Sequence, residues 1–244
     1  MPRTRMTGPQ RREQLIAVGR GVFADNGYAA ATVEEIAERA GVSKPVVYEH
    51  FGGKDGLYEV VVQEEIEELT ARMGAAVSTS VARIAGEQAA LAFLTYIDER
   101  EDGFRVLVRD TPMGQGTGGL ATVMSVIAVR VEQLLRDNFR DKGFDDDAAP
   151  MYARMLIGAV ALVGEWWLED GKRNRDDVVA HIVNLLWYGL RDLRREPPPL
   201  VSVGDGVRAD LDVMVDAGME HDRPTQERGD AAAARARRFE GVSR

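Results

Sequence analysis

Between Thr32 and Lys54 the apolar positions fall into two short helical registers separated by a polar turn. Val33, Ile36, Ala37 and Ala40 recur at three- and four-residue spacing, which puts them on one face of a helix. Thr32 stands where a side-chain oxygen caps that helix, and Glu35, three residues on, is placed to return a bond to the cap's own N–H, completing a capping box. Gly41 supplies the left-handed residue that ends it. Ser43 is a second N-cap candidate, and Pro45 occupies a first-turn position where a missing N–H costs nothing, so another helix starts almost at once. About three residues separate the two, the spacing of a helix-turn-helix. In the second helix Val47 and Phe51 face inward, leaving Lys44, Val46, Tyr48 and His50 on the other side or its margins.

Upstream, Leu15, Ile16, Gly19, Val22 and Phe23 form a helical stripe that stops at Asn26 and Gly27, the first helix of a three-helix unit. Downstream, Asp55 to about Met73 reads as a longer helix carrying Leu57, Val60, Val61, Glu64 and Ile66. Further helical patterns fall near 81–101, 103–110, 120–142, 150–170 and 175–195, broken by Gly, Pro or charged turns. No alternating strand pattern is present. The expected fold is all-α with about nine helices: an N-terminal three-helix domain over 10–70, with its helix-turn-helix at about 33–52, and a helix bundle over 71–196. Pro197, Pro198 and Pro199 forbid helix continuation, and the Gly-, Ala-, Arg- and Asp-rich remainder makes 197–244 an expected disordered tail.

The outward set on the second short helix suits a DNA groove. Lys44 and Lys54 can neutralise phosphates, Tyr48 and His50 can hydrogen-bond to phosphate or a base edge, and Val46 can touch a thymine methyl. Taken singly, Tyr48 has a packing reading of comparable weight and a lone His such as His50 is more often structural than functional; the spacing of the whole set favours the groove. The stretch GVSKPVVYEHFGGK, preceded by VFADNGYAAATVEEIAERA, resembles the N-terminal domain of the TetR family of transcriptional regulators over roughly residues 10 to 60. That resemblance implies that Thr32, Lys44, Pro45, Val46, Tyr48, His50 and Lys54 approach DNA, Thr32 and Lys54 mainly through phosphates. Glu49 and Val46 depart from the residue types common in the family at those places, so base preference does not transfer.

The resemblance also implies a homodimer, a palindromic double-stranded DNA operator, and a small-molecule effector held among the helices of the larger domain. The expected function is therefore a ligand-responsive transcriptional regulator, a repressor acting in the cytoplasm. A ligand-dependent activator is the first alternative. The second is a lipid-binding module whose helix-turn-helix mediates protein contacts.

For the effector, Phe93, Tyr96, Phe104, Met124, Tyr152, Met155 and Trp166 are the candidate ligand-binding residues, with Met113 and Ile127 beside them. Ordinary core packing competes for each. Their character points to an apolar effector such as a lipid or acyl group. Glu165 lies inside the apolar run LIGAVALVGEWWLED; a buried carboxylate needs a partner, and Arg105, Arg109 and Arg130 are available. Met151, Met155, Leu156, Leu162 and Val163, interrupted by Gly158, Ala161 and Gly164, give the penultimate helix a broad apolar face. With Val178, Ile182, Leu185 and Leu186 of the last helix, it suits pairing with a second chain as well as it suits a plain core.

Charge changes the picture only through its placement. The chain carries a net −9, but residues 1–60 hold eight basic and eight acidic side chains, while 61–244 hold 23 and 32. The end expected to bind DNA is the less acidic one, and Arg3, Arg5, Arg11, Arg12 and Arg20 face only Glu13 in the first twenty residues, a basic segment suited to phosphate or a minor groove, with a disordered, solvated tail an equal reading for Arg3 and Arg5. The lack of Cys excludes a disulfide framework and a thiolate zinc site. No apolar stretch follows the N-terminal charges and no run of about 18 apolar residues suggests a membrane span. Gly114 to Gly119 matches G-x-G-x-x-G but follows no strand, so it reads as a connector and not a dinucleotide site. His50, His181 and His221 lie in separate segments, and Asp145, Asp146 and Asp147 read as a solvated turn. No catalytic residue, metal or cofactor is expected.

Overall fold

A computed structural model describes residues 6–78, 81–109 and 119–195 of the 244. Met113, most of the glycine-rich connector and the expected tail at 197–244 lie outside the described residues, as do Arg3, Arg5 and His221. Nine α-helices follow one another within them: α1 (Gly8–Ala30), α2 (Val33–Ala40), α3 (Lys44–Phe51), α4 (Lys54–Ala76), α5 (Ala82–Glu99), α6 (Glu101–Arg109), α7 (Gly119–Lys142), α8 (Ala149–Asp170) and α9 (Arg175–Arg191). Among the described residues there is no strand.

Local signals explain most boundaries. Thr7 and Gln10 form a complete capping box at the start of α1, a T-x-x-Q spacing that sequence reading passed over. α1 is broken at Gly27, where φ is 74°, in agreement with a stripe that stops there. The Thr32 side chain accepts from the Glu35 N–H at 3.2 Å, but the reciprocal arm of the expected box is absent. Glu35 turns instead to Asn26 Nδ2 at 2.8 Å and Arg39 Nη2 at 2.7 Å, the second a cation and so a stronger partner than the cap's own N–H. Gly41 takes the left-handed conformation, φ 64° and ψ 37°, that turns the chain from α2 into α3. Ser43 occupies the N-cap of α3 without a side-chain bond, so that cap is weaker than its identity suggested. The Asp145 to Asp147 cluster is a short 3-10 turn in which Asp145 accepts from the Asp147 N–H.

Two hydrophobic clusters organise the packing. Leu15, Val22, Phe23, Ile36, Val47, Leu57 and Val61 form the first, around the helix-turn-helix. Phe93, Leu94, Ile97, Phe104, Leu107, Val123 and Ile182 are central to the second. Two helices enter both: α4 gives Leu57 and Val61 to one and Leu69 and Met73 to the other, while α6 gives Val106 to one and Phe104 and Leu107 to the other. α6 is tied to α1 as well, through Arg109, whose Nη1 donates to the Ala24 and Asp25 carbonyls at 2.6 and 3.1 Å.

The expectation of a buried Glu165 is corrected. Glu165 is only half-buried, and Arg105 and Arg109 are used elsewhere, Arg105 on Glu101 and Arg109 on α1. The buried carboxylate is Glu65 on α4, at 0% exposure the one buried charged side chain among the described residues. The expected face of that helix included its neighbour Glu64, which is in fact 44% exposed. The segment Asp146–Asp170 is long and apolar enough to cross a membrane, with mean hydropathy 1.2, contrary to the expectation that none would be. Only 22% of its apolar window is buried within the chain, because Met155, Leu162 and Trp166 of α8 lie exposed beside Leu185 of α9.

Candidate DNA-reading surface and effector cavity

α3 is held by few contacts that nonetheless fix its roll. Val47 is fully buried under it and Phe51 is half-buried with the Arg12 guanidinium 4.8 Å over its ring, while the neighbouring α2 is tied at its end to α1 by Gln14, which donates to the Ala40 carbonyl at 3.1 Å. This leaves Lys44, Pro45, Tyr48 and Glu49 exposed, Tyr48 at 54%, with His50 and Val46 half-buried at the margins. Val46 packs partly against the first cluster, so its methyls are only partly available to a groove. Thr32 spends its side-chain oxygen on the α2 cap.

The two lysines differ. Lys44 is exposed and ion-paired with Glu34, whose carboxyl is held below its usual range chiefly by the bond from Lys44. Lys54 is half-buried: its ammonium donates to the Tyr28 carbonyl at 2.9 Å and lies 4.4 Å from the centre of the Tyr28 ring. The Tyr28 hydroxyl in turn donates to Asp55 at 2.7 Å, which raises its own pKa. Lys54 therefore stitches the last turn of α1, beyond its break at Gly27, to the start of α4, a role the sequence did not reveal. If Lys44 meets DNA phosphate as the sequence leads one to expect, Glu34 competes with that phosphate for it. Replacing it, Glu34→Gln, frees a cation and removes an anion from the DNA side, and we expect DNA affinity to rise about threefold to tenfold at fixed salt. Fluorescence anisotropy on a labelled duplex measures this; equal or weaker binding would remove Lys44 from the DNA surface.

The second cluster borders a partly open cavity of about 140 Å³ between α4, α5, α7, α8 and α9. Met73, Phe93, Met124, Ile127, Val160 and Leu186 make its apolar wall, and Arg83 and Glu87 are its charged lining residues. Of the expected ligand-binding residues, Phe93 and Met124 line this cavity, and the other five are placed elsewhere. Tyr96 and Phe104 are fully buried behind Phe93, Tyr96 turned by its hydroxyl toward Glu65. Tyr152 packs edge-on against Phe139, 5.3 Å between ring centres, in a separate cluster between α7 and α8. Met155 is exposed, and Trp166 borders a shallow groove with Val163, His181 and Leu185 on the outer face of α8 and α9. Among the described residues no group of three His, Cys, Asp or Glu side chains is placed to hold a metal ion.

Comparison with known proteins fits this layout. Residues 15–61 match the family model of bacterial regulatory proteins of the tetR family, and residues 60–189 match the model of the tetracyclin repressor-like C-terminal domain. The HTH-type transcriptional activator FasR of Mycolicibacterium smegmatis is 31% identical over 192 residues, 76% of this chain and 85% of that protein. Among solved structures, the fatty acid degradation regulator FadR from Bacillus halodurans superposes with a TM-score of 0.62 at 20% identity, over 77% of this chain and 99% of that one. FadR from Bacillus subtilis, solved in complex with stearoyl-CoA, does so with a TM-score of 0.56 at 18% identity, over 71% and 96%. At these identities the two structures speak to the fold alone.

Proposed function

The chain belongs to the TetR family of bacterial regulatory proteins, and we propose that it is a ligand-responsive transcriptional regulator that binds a palindromic operator as a homodimer. Residues 10–70 read DNA, residues 71–196 bind the effector and the second chain, and the protein acts in the cytoplasm beside its DNA partner. The observation that carries this reading is the exposed face of α3, with Lys44 and Tyr48 outward over a fully buried Val47. Thr32, Pro45, Val46, His50 and Lys54 surround them as the rest of the DNA surface.

Two-fold symmetry places two α3 helices about 34–36 Å apart, or a multiple of that, to enter successive major grooves. The apolar surface that α8 and α9 leave open supports the dimer, since a lone chain keeps Leu162 at 66% and Leu185 at 73% exposure. Charging it, Leu162→Glu with Leu185→Glu, should give a monomer by light scattering and weaken operator binding at least about a hundredfold through loss of the second half-site. A dimer that persists would move the interface elsewhere.

The effector we propose is a fatty acyl group, presented as its coenzyme A thioester. An apolar wall of aliphatic, Met and Phe side chains supports an acyl chain, and B. subtilis FadR, of the same fold and solved with stearoyl-CoA, supplies the member of that class to test. The cavity, about 140 Å³, lies below the roughly 300 Å³ where ligand pockets ordinarily begin, so a long chain has to part the helices around it. Entry therefore selects an expanded state, and coupling to DNA follows if that state spaces the two α3 helices differently. Repression by operator occupancy is the first reading of sign. Activation is the second, favoured by the similarity to the activator FasR over most of both chains.

Selection of the purified protein against random duplexes tests the DNA-binding core of this proposal. A palindromic consensus is the expected result; a folded dimer that enriches nothing, with or without stearoyl-CoA, would sink it.

A further inference from the structure

Glu65 lies on α4 at 0% exposure and is ligated from two other helices. Its Oε1 accepts from Arg100 Nη2 at 2.5 Å and sits 2.6 Å from Arg20 Nε; its Oε2 accepts from the Tyr96 hydroxyl at 2.8 Å and from Arg100 Nε at 3.0 Å. Arg20 belongs to α1, Tyr96 to α5, and Arg100 ends α5, where its N–H bonds to the Tyr96 carbonyl. α6 closes the remaining side so tightly that a Cβ added to Gly103 would fall 2.2 Å from Oε2. One carboxylate thus joins α1, α4 and α5 and bears on the start of α6.

The contacts continue from Tyr96 to the cavity. Its ring meets Phe104 edge-on with centres 6.4 Å apart, Phe104 meets Phe93 edge-on at 5.6 Å, and Phe93 lines the cavity wall. An unbroken series of side chains therefore runs from the cavity to α1, the first helix of the DNA-binding unit. Close-packed interiors have little free volume in which a displacement can dissipate. The two-pronged fork of Arg100 on Glu65 tolerates little misalignment, which favours discrete arrangements over gradual deformation.

We propose that the Glu65 cluster is the coupling element of this regulator: an occupant of the cavity displaces Phe93 and Phe104 against Tyr96, and Glu65 passes that displacement to Arg20 and α1. The proposal rests on the effector-cavity reading above and names how that site is regulated. Glu65 and Tyr96 are positioning residues, touching neither the DNA surface nor the cavity. If the cluster served stability alone, loosening it would lower the melting temperature and leave the response to effector intact.

Tyr96→Phe removes only the hydroxyl that links the aromatic series to the carboxylate, and Glu65→Gln removes the charge. Each variant is measured for operator Kd with and without saturating stearoyl-CoA, for stearoyl-CoA Kd without DNA, and for Tm. The expected result is that both still bind stearoyl-CoA, while the effector-induced change in operator affinity, about 5- to 150-fold in coupled systems, shrinks below about threefold. A full response in Tyr96→Phe overturns the proposal. A second arm needs no ligand: Phe93→Leu should shift operator affinity in the native background and leave it unchanged in Tyr96→Phe. No shift in the native background, or simple additivity of the two substitutions, overturns the proposal as well. A native protein whose operator binding ignores stearoyl-CoA overturns the acyl-effector reading, and the ligand-free arm then decides the cluster.

Discussion

Arg100→Ala should lower the unfolding free energy by about 3 kcal/mol, near the low end of what breaking a buried ion pair costs. Arg100 supplies two of the bonds to Glu65, one to each oxygen, and its loss leaves a fully buried carboxylate with Arg20 and the Tyr96 hydroxyl. The remaining partners keep the cost from reaching the upper end. Burial by itself pushes the Glu65 pKa up, but the bonds from Arg100 and Tyr96 and the charges of Arg20 and Arg100 outweigh it and hold the carboxyl below its ordinary 4.5. With the folded value below the unfolded one, Glu65 adds stability that is complete above about pH 5 to 6 and is lost as pH falls through the folded value. In Arg100→Ala the folded value rises, so the variant should begin to lose stability at a higher pH than the native chain. Urea unfolding followed by circular dichroism at pH 7 and pH 5 reads both effects. A loss under about 1 kcal/mol at pH 7 would mean that Arg20 alone compensates the carboxylate.

The second large effect is on DNA. Raising salt from 50 to 200 mM should weaken operator binding on the order of a thousandfold or more, the response of a protein that neutralises six or more phosphates. In the proposed dimer each half would offer Lys44, Lys54 and the basic start of α1, including Arg11 and Arg12, for that purpose. The net −9 of the chain does not oppose this, because residues 1–60 are balanced and the excess acid lies beyond them. Removing Lys44 should lower the slope of log affinity against log salt by about one for each half-site, and it should act alike on specific and random sequences if Lys44 contacts only phosphate. A change in sequence preference would place Lys44 on a base edge instead. Affinity that is flat with salt would contradict a phosphate-driven interface altogether.

What the sequence made legible was local. The cap at Thr32, the stop at Gly41 and the stripe Val33, Ile36, Ala37, Ala40 are properties of one helix and its ends, and they reappear in α2 with the same residues buried. The all-helical order and the inward face of α3 followed from spacing in the same way. The ion cluster was not legible, because Arg20, Glu65, Tyr96 and Arg100 are brought together only when α1, α4 and α5 pack, and nothing in their spacing marks them. The apolar run around Glu165 drew attention to the wrong carboxylate for a related reason. That run is apolar because much of α8 faces outward without a partner among the described residues, and hydrophobicity along a helix does not say which side covers it. The cavity was legible in kind but only in part by residue: Phe93 and Met124 line it, whereas Tyr96 and Phe104 fill the layer behind and Trp166 lies outside.

In the proposed regulator a ligand in the α4 to α9 bundle alters how α3 reads DNA. The most direct test of this coupling is operator Kd by anisotropy at 100 mM salt, titrated with stearoyl-CoA, alongside calorimetric binding of stearoyl-CoA to the protein alone. The expected result is saturable binding of the acyl-CoA and a change of at least about fivefold in operator Kd, of either sign, that saturates over the same concentration range. Saturable binding of stearoyl-CoA with an operator Kd that does not move would contradict it.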